Sequence, residues 1–481
     1  MSNVFSFKRK LYYDTLNAVD QTSAVFLLGP RKCGKTVCLQ QINDTHANSE
    51  YYNIKNISLD DANALYNRII KDINNSIDRL YLIDEVTYFD LPEKVIANIA
   101  FALGGNNENK TKVVFAGSQS IALEAWANRA FAGNAKLIYG EFLSYSEWLK
   151  YKNIEEVSAK TYNDFLYETK SFNTGFVTLD DYLKGCLEET VQSNLKTSNV
   201  ILHNECNKLD ENILKNVLYA ALIAQEDRPT INNFFDRNKL LREIRSFMNE
   251  AYQSIGSEQV QQRIDRIFAD RLSSYSTKDI DTLRQALVFL YRCDLITLSY
   301  VSPENSKFEN IIDVYKDLCD YYDPKINNKE KLFRDVNISI KYPMFYVEIL
   351  KEVLQEYMPK ELNGTMLGGI VECHARGLLP QKDQYEYHNN GREIDYVNYS
   401  KAIAVEFTIR NKSNKETAFN DLPYDFTNIL LTKDIDLQIA DNNNIIRIPY
   451  YKFIYELSND PDYLNKIPLP NCGLNNTKNY N

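Results

Sequence analysis

The first third of the chain alternates short apolar runs with stretches in which apolar residues recur at helical spacing. Each apolar run has the length of a buried strand, and the helical stretches lie between the runs. Such alternation predicts an α/β fold in which a parallel sheet is covered by helices on both faces. The predicted strands are residues 24–28, 53–59, 79–83 and 112–116.

The middle of the chain, residues 151–340, has a mainly helical pattern. Residues 276–279 have the sequence of a helix cap, and apolar residues then recur at helical spacing as far as Leu290. A strand pattern follows at 295–301. This order predicts a helical lid with a winged-helix-like module; a helix and a strand of an ordinary α+β module is the alternative.

Strand patterns return in the last part of the chain, residues 341–470, after a predicted helix near 367–379. An Asn-Asn-Gly sequence at 389–391 indicates a hairpin turn. We therefore predict three domains, with boundaries at 1–150, 151–340 and 341–470, the last one a small α/β domain. Its predicted strands are residues 383–388, 392–399, 402–410, 429–432 and 445–448.

The composition argues against several classes of protein. The eight cysteines are scattered without a C-x-x-C pair, which argues against a disulfide framework or a zinc site. A net charge of −10 opposes strong non-specific DNA binding, which needs clustered Lys and Arg. The chain has neither a signal-peptide pattern at its start nor an apolar run near the ~18 residues of a membrane span. We expect a cytoplasmic protein without a membrane partner.

Residues 29–36 match the pattern G-x-x-x-x-G-K-[ST] at every fixed position. Glycines let successive backbone N–H groups face phosphates, and the following helix directs its positive end at the same charge. In this pattern Lys35 reaches the β and γ phosphates, and Thr36 places its hydroxyl on magnesium. The sequence predicts ATP and Mg²⁺ as cofactors. The residues expected to bind ATP are Gly29, Pro30, Arg31, Lys32, Cys33, Gly34, Lys35 and Thr36.

Two acids end the predicted strand at 79–83, and ligands of α/β sheets bind at that end of a strand. Asp84 is expected to hold the magnesium through water, and Glu85 to orient or activate the attacking water. The next strand also ends in small and polar residues. Ser118, with Gln119 as second choice, is a candidate sensor of the γ-phosphate; a helix cap is the alternative.

Seven segments follow one another along the chain in a characteristic order: FKRKLYYDTL, GPRKCGKT, LYLIDEV, FAGSQS, ANRA, GEFLSYSEWL and YLKGCLEETV. With these segments the chain resembles the prokaryotic AAA-type ATPases that carry a C-terminal restriction-endonuclease-like domain of unknown function. The resemblance implies that Arg129 acts as an arginine finger, which would make a homo-oligomer plausible. An exposed helical arginine is the alternative.

The C-terminal domain of that family carries a D…E-x-K nuclease pattern, and Asp395 and Glu406 match its two acids as magnesium ligands. Both lie on predicted adjacent hairpin strands. Thr408 stands where the lysine belongs, and it lacks the positive charge which that role requires. Arg410 projects from the same predicted strand face but is a poor replacement. We therefore expect a nuclease fold with impaired cleavage; solvated strand-face charges are the alternative.

Three functions follow from these patterns. The leading one is an ATP-driven switch whose C-terminal domain binds nucleic acid or a protein partner. The second is an ATP-gated, metal-dependent DNA nuclease. The third is a non-catalytic DNA-binding regulator that uses the winged-helix-like module.

Overall fold

The computed structural model describes the chain in segments, and every structural statement below concerns them. Among these residues no helix is long and apolar enough to cross a membrane. The described residues are 6–88, 93–104, 110–117, 120–131, 134–172, 178–192, 209–223, 286, 289–291, 293–302, 336–354, 358–362, 364–380, 384–389, 392–409, 414–422, 426–436, 445–460 and 462–467.

The N-terminal part is a five-stranded sheet in the order β2-β3-β4-β1-β5, and every pair of neighbouring strands is parallel. This confirms the predicted parallel α/β sheet. The strands are β1 (Ala24–Leu28), β2 (Ser49–Asn53), β3 (Arg79–Asp84), β4 (Thr111–Ala116) and β5 (Lys136–Tyr139). The helices are α1 (Lys10–Gln21), α2 (Lys35–Thr45), α3 (Leu59–Asn74), α4 (Glu93–Gly104) and α5 (Ser120–Phe131).

Successive strand residues point to opposite faces of this sheet, and each face has its own core. In β1, Val25 and Leu27 pack with α1 and α2, whereas Phe26 and Leu28 pack with α3, α4 and α5. The continuous apolar runs of β1 and β4 follow from this burial on both faces.

The second predicted strand, 53–59, is wrong. The strand is Ser49–Asn53, a 3₁₀ turn follows at Ile54–Asn56, and Leu59 already begins α3. The Ser58 hydroxyl accepts a hydrogen bond from the Asp61 backbone N–H at 3.1 Å and so caps α3. This cap at Ser58 starts a helix where the apolar pattern had suggested a strand. Strand β5 was not predicted; it has only four residues and lies at the sheet edge, with both of its end residues exposed.

The helical region contains α6 (Tyr145–Lys152), α7 (Ala159–Phe172), α8 (Leu179–Gln192) and α9 (Glu211–Ile223). The predicted cap at 276–279 lies outside the described residues. Phe289 and Leu290 are helical, and strand β6 (Ile296–Ser302) follows them, as predicted. The winged-helix-like module itself stays a prediction.

The last part of the chain contributes to a seven-stranded mixed sheet in the order β12-β11-β10-β9-β8-β6-β7. β6 pairs in parallel with β8, so this sheet joins residues on both sides of the predicted boundary at 340. The further strands are β7 (Val336–Ile340), β8 (Gln384–Asn389), β9 (Arg392–Asn398), β10 (Ile403–Glu406), β11 (Thr427–Thr432) and β12 (Ile445–Pro449). The helices are α10 (Pro343–Leu354), α11 (Gly364–Leu378), α12 (Tyr450–Asn459) and α13 (Tyr463–Lys466).

Strands β9 and β10 form the predicted antiparallel pair, but β10 is shorter than expected and ends at Glu406. The backbone N–H of Phe407 donates to Asp395 Oδ2 at 2.7 Å and so binds a side chain rather than the neighbouring strand. Thr408 therefore lies beyond the strand. Arg410 lies outside the described residues.

Candidate nucleotide-binding site

The glycine-rich loop connects the end of β1 to the start of α2, as the sequence predicted. Gly29 has φ 129° and Gly34 has φ 101°, conformations that side chains rarely adopt. A Cβ at Gly29 would lie 2.2 Å from the carbonyl oxygen of Gly140, after β5. Both glycines are thus required by the backbone shape of the loop, and Gly29 also by its packing.

Lys35 is buried at the first position of α2, with 6% of its surface exposed. Its Nζ donates to the carbonyl oxygens of Gly29 and Pro30, at 2.8 Å each. The ammonium group therefore lies within the loop. No side chain caps the N-terminus of α2 at Gly34, where helix N–H groups and the helix dipole favour an anion.

Asp84 ends β3 and is almost fully buried, with 1% exposed. The Thr36 hydroxyl donates to its Oδ2 at 2.8 Å, although 48 residues separate the two. The structure thus brings together the two predicted magnesium ligands. A hydroxyl and a carboxylate are hard oxygen ligands, which fit Mg²⁺.

Two further groups donate to the Asp84 carboxylate. The hydroxyl of Tyr51, on β2, donates to Oδ2 at 2.9 Å, and the backbone N–H of Glu85 donates to Oδ1 at 3.0 Å. Burial and the charge of Asp84 raise the pKa of Tyr51, so its hydroxyl stays protonated. Sequence reasoning missed Tyr51, because the predicted second strand began only at residue 53.

Glu85 follows the strand in a left-handed conformation, with φ 51°. Such a conformation is strained for a residue other than glycine and is frequent at functional sites. Ser118 and Gln119 lie outside the described residues. Arg129 lies on α5, but its side chain is outside the described part of the chain. The expected roles of Glu85, Ser118 and Arg129 stay predictions.

A largely buried ion pair contacts the loop. Arg9 Nη2 lies 2.7 Å from Glu147 Oε2, and Arg9 Nε lies 3.2 Å from both carboxylate oxygens. Arg9 also donates to the carbonyl oxygen of Cys33 at 2.6 Å and to that of Glu141 at 2.9 Å. Arg9 thereby connects the loop to α6 through hydrogen bonds. Sequence reasoning missed this pair; Ser144 and Glu147 do form a capping box, which the S-x-x-E spacing could have indicated.

The loop also contacts the helical region through α8. The Tyr182 hydroxyl donates to the backbone carbonyl of Arg31 at 3.1 Å. A Cβ at Gly185 would lie 1.4 Å from Arg31 Nη1, so the guanidinium lies against the helix where it has no side chain. Tyr182 packs in turn on Phe345 of α10, with ring centroids 5.1 Å apart.

The two C-terminal acids are buried on adjacent strands, Asp395 with 3% and Glu406 with 1% exposed. A fully buried arginine, Arg376 on α11, lies nearby. Its guanidinium forms ion pairs with Glu372 at 2.9 Å and Glu386 at 2.8 Å. Burial alone would lower the pKa of Arg376, but the charges of these carboxylates raise it. The described residues contain no group of three His, Cys, Asp or Glu side chains that could hold a metal ion.

Part of the chain is similar to known proteins. No curated protein matches the chain. Similar solved structures include a Walker-type ATPase of Pyrococcus abyssi, 11% identical, covering 60% of this chain and 91% of that one, with a TM-score of 0.28. Another is AMPPCP-bound DnaA from Aquifex aeolicus, 14% identical, covering 57% and 98%, with a TM-score of 0.26. TM-scores this low establish no shared arrangement. Residues 21–149, which include the glycine-rich loop and Asp84, match the model of the family described as AAA domain.

Proposed function

We propose that the protein binds and hydrolyses ATP with magnesium and acts as a nucleotide-dependent switch for its C-terminal part. The observation that carries this proposal is the assembly of Lys35, Thr36 and Asp84 at one end of the sheet. A bound triphosphate would take the place of the Gly29 and Pro30 carbonyls as partner of the Lys35 ammonium group. Thr36 and Asp84 would hold the magnesium, which neutralises phosphate charge when bound.

Glu85 is the candidate group for orienting the attacking water. It directly follows Asp84 at the carboxyl end of β3, the side of the sheet on which the loop lies. Ser118 as γ-phosphate sensor and Arg129 as arginine finger complete the proposed machinery. An arginine finger that acts between subunits would require a homo-oligomer.

The switch rests on the contacts that connect the loop to the rest of the chain. Arg31 touches α8 through Tyr182 and Gly185, and Tyr182 packs on α10. The ring of Phe142 also packs on Phe345 of α10, with the two ring centroids 5.5 Å apart. A change of loop conformation on ATP binding would therefore shift the packing of α8 and α10. Nucleic acid or a protein partner at the C-terminal part would sense that shift.

An ATP-gated nuclease is the second candidate, and the adjacency of Asp395 and Glu406 on β9 and β10 favours it. Two observations oppose cleavage: Thr408 lacks the charge of the motif lysine, and Arg376 is held by two ion pairs. We therefore propose an impaired nuclease fold that binds a partner. The winged-helix regulator also stays a prediction, since the basic residues that its module offers for DNA contacts, Lys278, Arg284 and Arg292, lie outside the described residues.

ATP binding and turnover of the purified protein test the assignment, compared with Lys35→Ala. Loss of the ammonium group should weaken ATP binding at least about tenfold and abolish turnover, because no other loop side chain provides this charge inside the loop. Lys71→Ala, an exposed lysine at the end of α3, is the matched control and should behave as wild type. Unchanged binding and turnover in Lys35→Ala would disprove the assignment.

The same assay with added double-stranded DNA separates the partner classes. Stimulation by DNA that weakens as salt rises favours a nucleic-acid partner, because phosphate contacts release counterions. Turnover independent of DNA favours a protein partner. DNA cleavage lost in Asp395→Ala and Glu406→Ala would establish the nuclease instead.

A further inference from the structure

Tyr51 lies beside the magnesium-binding end of the sheet because β2 is the direct neighbour of β3. The parallel register places Tyr51 opposite Leu82 and Asn53 opposite Asp84. Side chains of alternate residues share one face of a strand, so Tyr51 and Asn53 point to the same face. The Tyr51 hydroxyl lies 2.9 Å from Asp84 Oδ2, and Asn53 Nδ2 donates to that hydroxyl at 3.5 Å.

Asp84 Oδ2 accepts hydrogen bonds from two hydroxyl groups, those of Thr36 and Tyr51. These two donors differ in their chemistry toward a metal. The Thr36 oxygen is an expected magnesium ligand, so its bond to Asp84 changes when the ion binds. Tyr51 belongs to β2 rather than to the loop, and its hydroxyl can keep its bond to Asp84 when the ion binds.

The neighbouring tyrosine on β2 provides an internal contrast. Tyr52 points to the opposite face, where its hydroxyl donates to Glu50 at 2.5 Å and accepts from Arg68 at 3.0 Å. Neither of these partners is part of the loop, so two adjacent tyrosines of one strand have separate environments. A hydroxyl on β2 is thus aimed at the metal-binding acid only from position 51.

We propose that Tyr51 is a positioning residue for magnesium, whose hydroxyl holds the Asp84 carboxylate in the orientation that receives the ion beside Thr36. This inference rests on the proposed ATPase function. Tyr51 itself touches neither nucleotide nor metal. Its loss should raise the magnesium requirement and leave magnesium-free binding of ATP nearly unchanged.

The test is the magnesium dependence of ATP turnover in Tyr51→Phe, with Tyr52→Phe as matched control. A hydrogen bond to a charged group is stronger than one between neutral groups, and water can replace part of it at a half-buried site. We expect the Mg²⁺ concentration for half-maximal turnover to rise about tenfold in Tyr51→Phe. The affinity for ATP in excess chelator should change less than about twofold. Tyr52→Phe should match wild type in both measurements.

An unchanged magnesium requirement in Tyr51→Phe would overturn the inference. So would a loss of turnover that no magnesium concentration alters, since a merely structural role predicts that result. Should Tyr51→Phe not fold, Asn53→Ala tests the same chain of bonds. A smaller rise in the magnesium requirement is then expected, and an unchanged magnesium requirement would contradict the inference. If Lys35→Ala abolishes turnover but Tyr51→Phe equals wild type, only the role of Tyr51 fails.

Discussion

The ion pair of Arg9 and Glu147 allows a quantitative prediction for Glu147→Gln. The carboxylate accepts hydrogen bonds from Nε and Nη2 of the guanidinium and further bonds from the backbone N–H groups of Lys10 at 2.9 Å and Ser144 at 3.1 Å. Glutamine keeps the size of the side chain but removes the charge. Arg9 would then remain largely buried without its carboxylate partner.

The magnitude follows from burial. The side chains of Arg9 and Glu147 are 20% and 8% exposed. Removing one partner of a buried ion pair costs about 3–5 kcal/mol, because the other charge stays uncompensated. Arg9 is a fifth exposed and keeps its bonds to the carbonyls of Cys33 and Glu141. We therefore expect a loss of about 3 kcal/mol in the free energy of unfolding, at the lower end of that range.

Urea unfolding at pH 7, followed by the fluorescence of the two tryptophans, Trp126 and Trp148, measures this loss. Trp148 is 1% exposed and is the neighbour of Glu147 on α6. Glu168→Gln is the control. It breaks an ion pair with Lys152 whose side chains are 44% and 35% exposed, so its cost should stay below about 1 kcal/mol. Equal effects of Glu147→Gln and Glu168→Gln would refute the reasoning.

The pH dependence provides a second check. Burial alone would raise the pKa of Glu147, but Arg9 and the hydrogen bonds to the carboxylate lower it below the ordinary value of 4.5. The unfolded state therefore binds the proton first as pH falls. The stabilisation by Glu147 should be complete above pH 4.5 and be lost as pH falls through the lower pKa of the folded state. The difference in the free energy of unfolding between wild type and Glu147→Gln should shrink over the same pH range.

Two further substitutions test the packing of the loop and of the C-terminal acids. Gly29→Ala places a Cβ 2.2 Å from a backbone oxygen at φ 129°, so ATP binding and thermal stability should both fall in calorimetric assays. Gly104→Ala, where a Cβ meets nothing within 4 Å, is the control and should leave both unchanged or raise stability. Arg376→Met leaves the carboxylates of Glu372 and Glu386 without their guanidinium and should cost about 3–5 kcal/mol in urea unfolding. A cost below about 1 kcal/mol would contradict the ion-pair assignment.

The parts of the site that sequence could predict are those encoded by consecutive residues. The loop at 29–36 and the acids after β3 are read from local patterns, and parallel strands bring their ends together at one edge. The partners of these groups come from distant parts of the chain. Arg9 and Glu147 are 138 residues apart, and no local pattern connects them.

Errors in the bounds of two predicted strands explain why the sequence missed other residues of these sites. Tyr51 was overlooked because the predicted strand began after it, at residue 53. That predicted strand also extended to residue 59, whereas the cap at Ser58 starts a helix at Leu59. Arg410 was considered for the missing charge because the predicted strand extended to it. The backbone of Phe407 instead binds Asp395 and ends β10 at Glu406, and Arg376 on α11 provides the charge near these acids. Side-chain bonds to backbone groups start α3 at Ser58 and follow the end of β10, and sequence periodicity does not encode them.

The distance along the chain between Arg9 and Glu147 also has a consequence for biosynthesis. The ribosome makes the glycine-rich loop and the central strands of its sheet well before α6. Until α6 emerges, Arg9 can reach the Cys33 carbonyl but has no Glu147 to orient it. A nascent chain that ends before α6 should thus hold a loosely formed loop that captures ATP poorly. Nucleotide capture would then begin only after α6 has been synthesised.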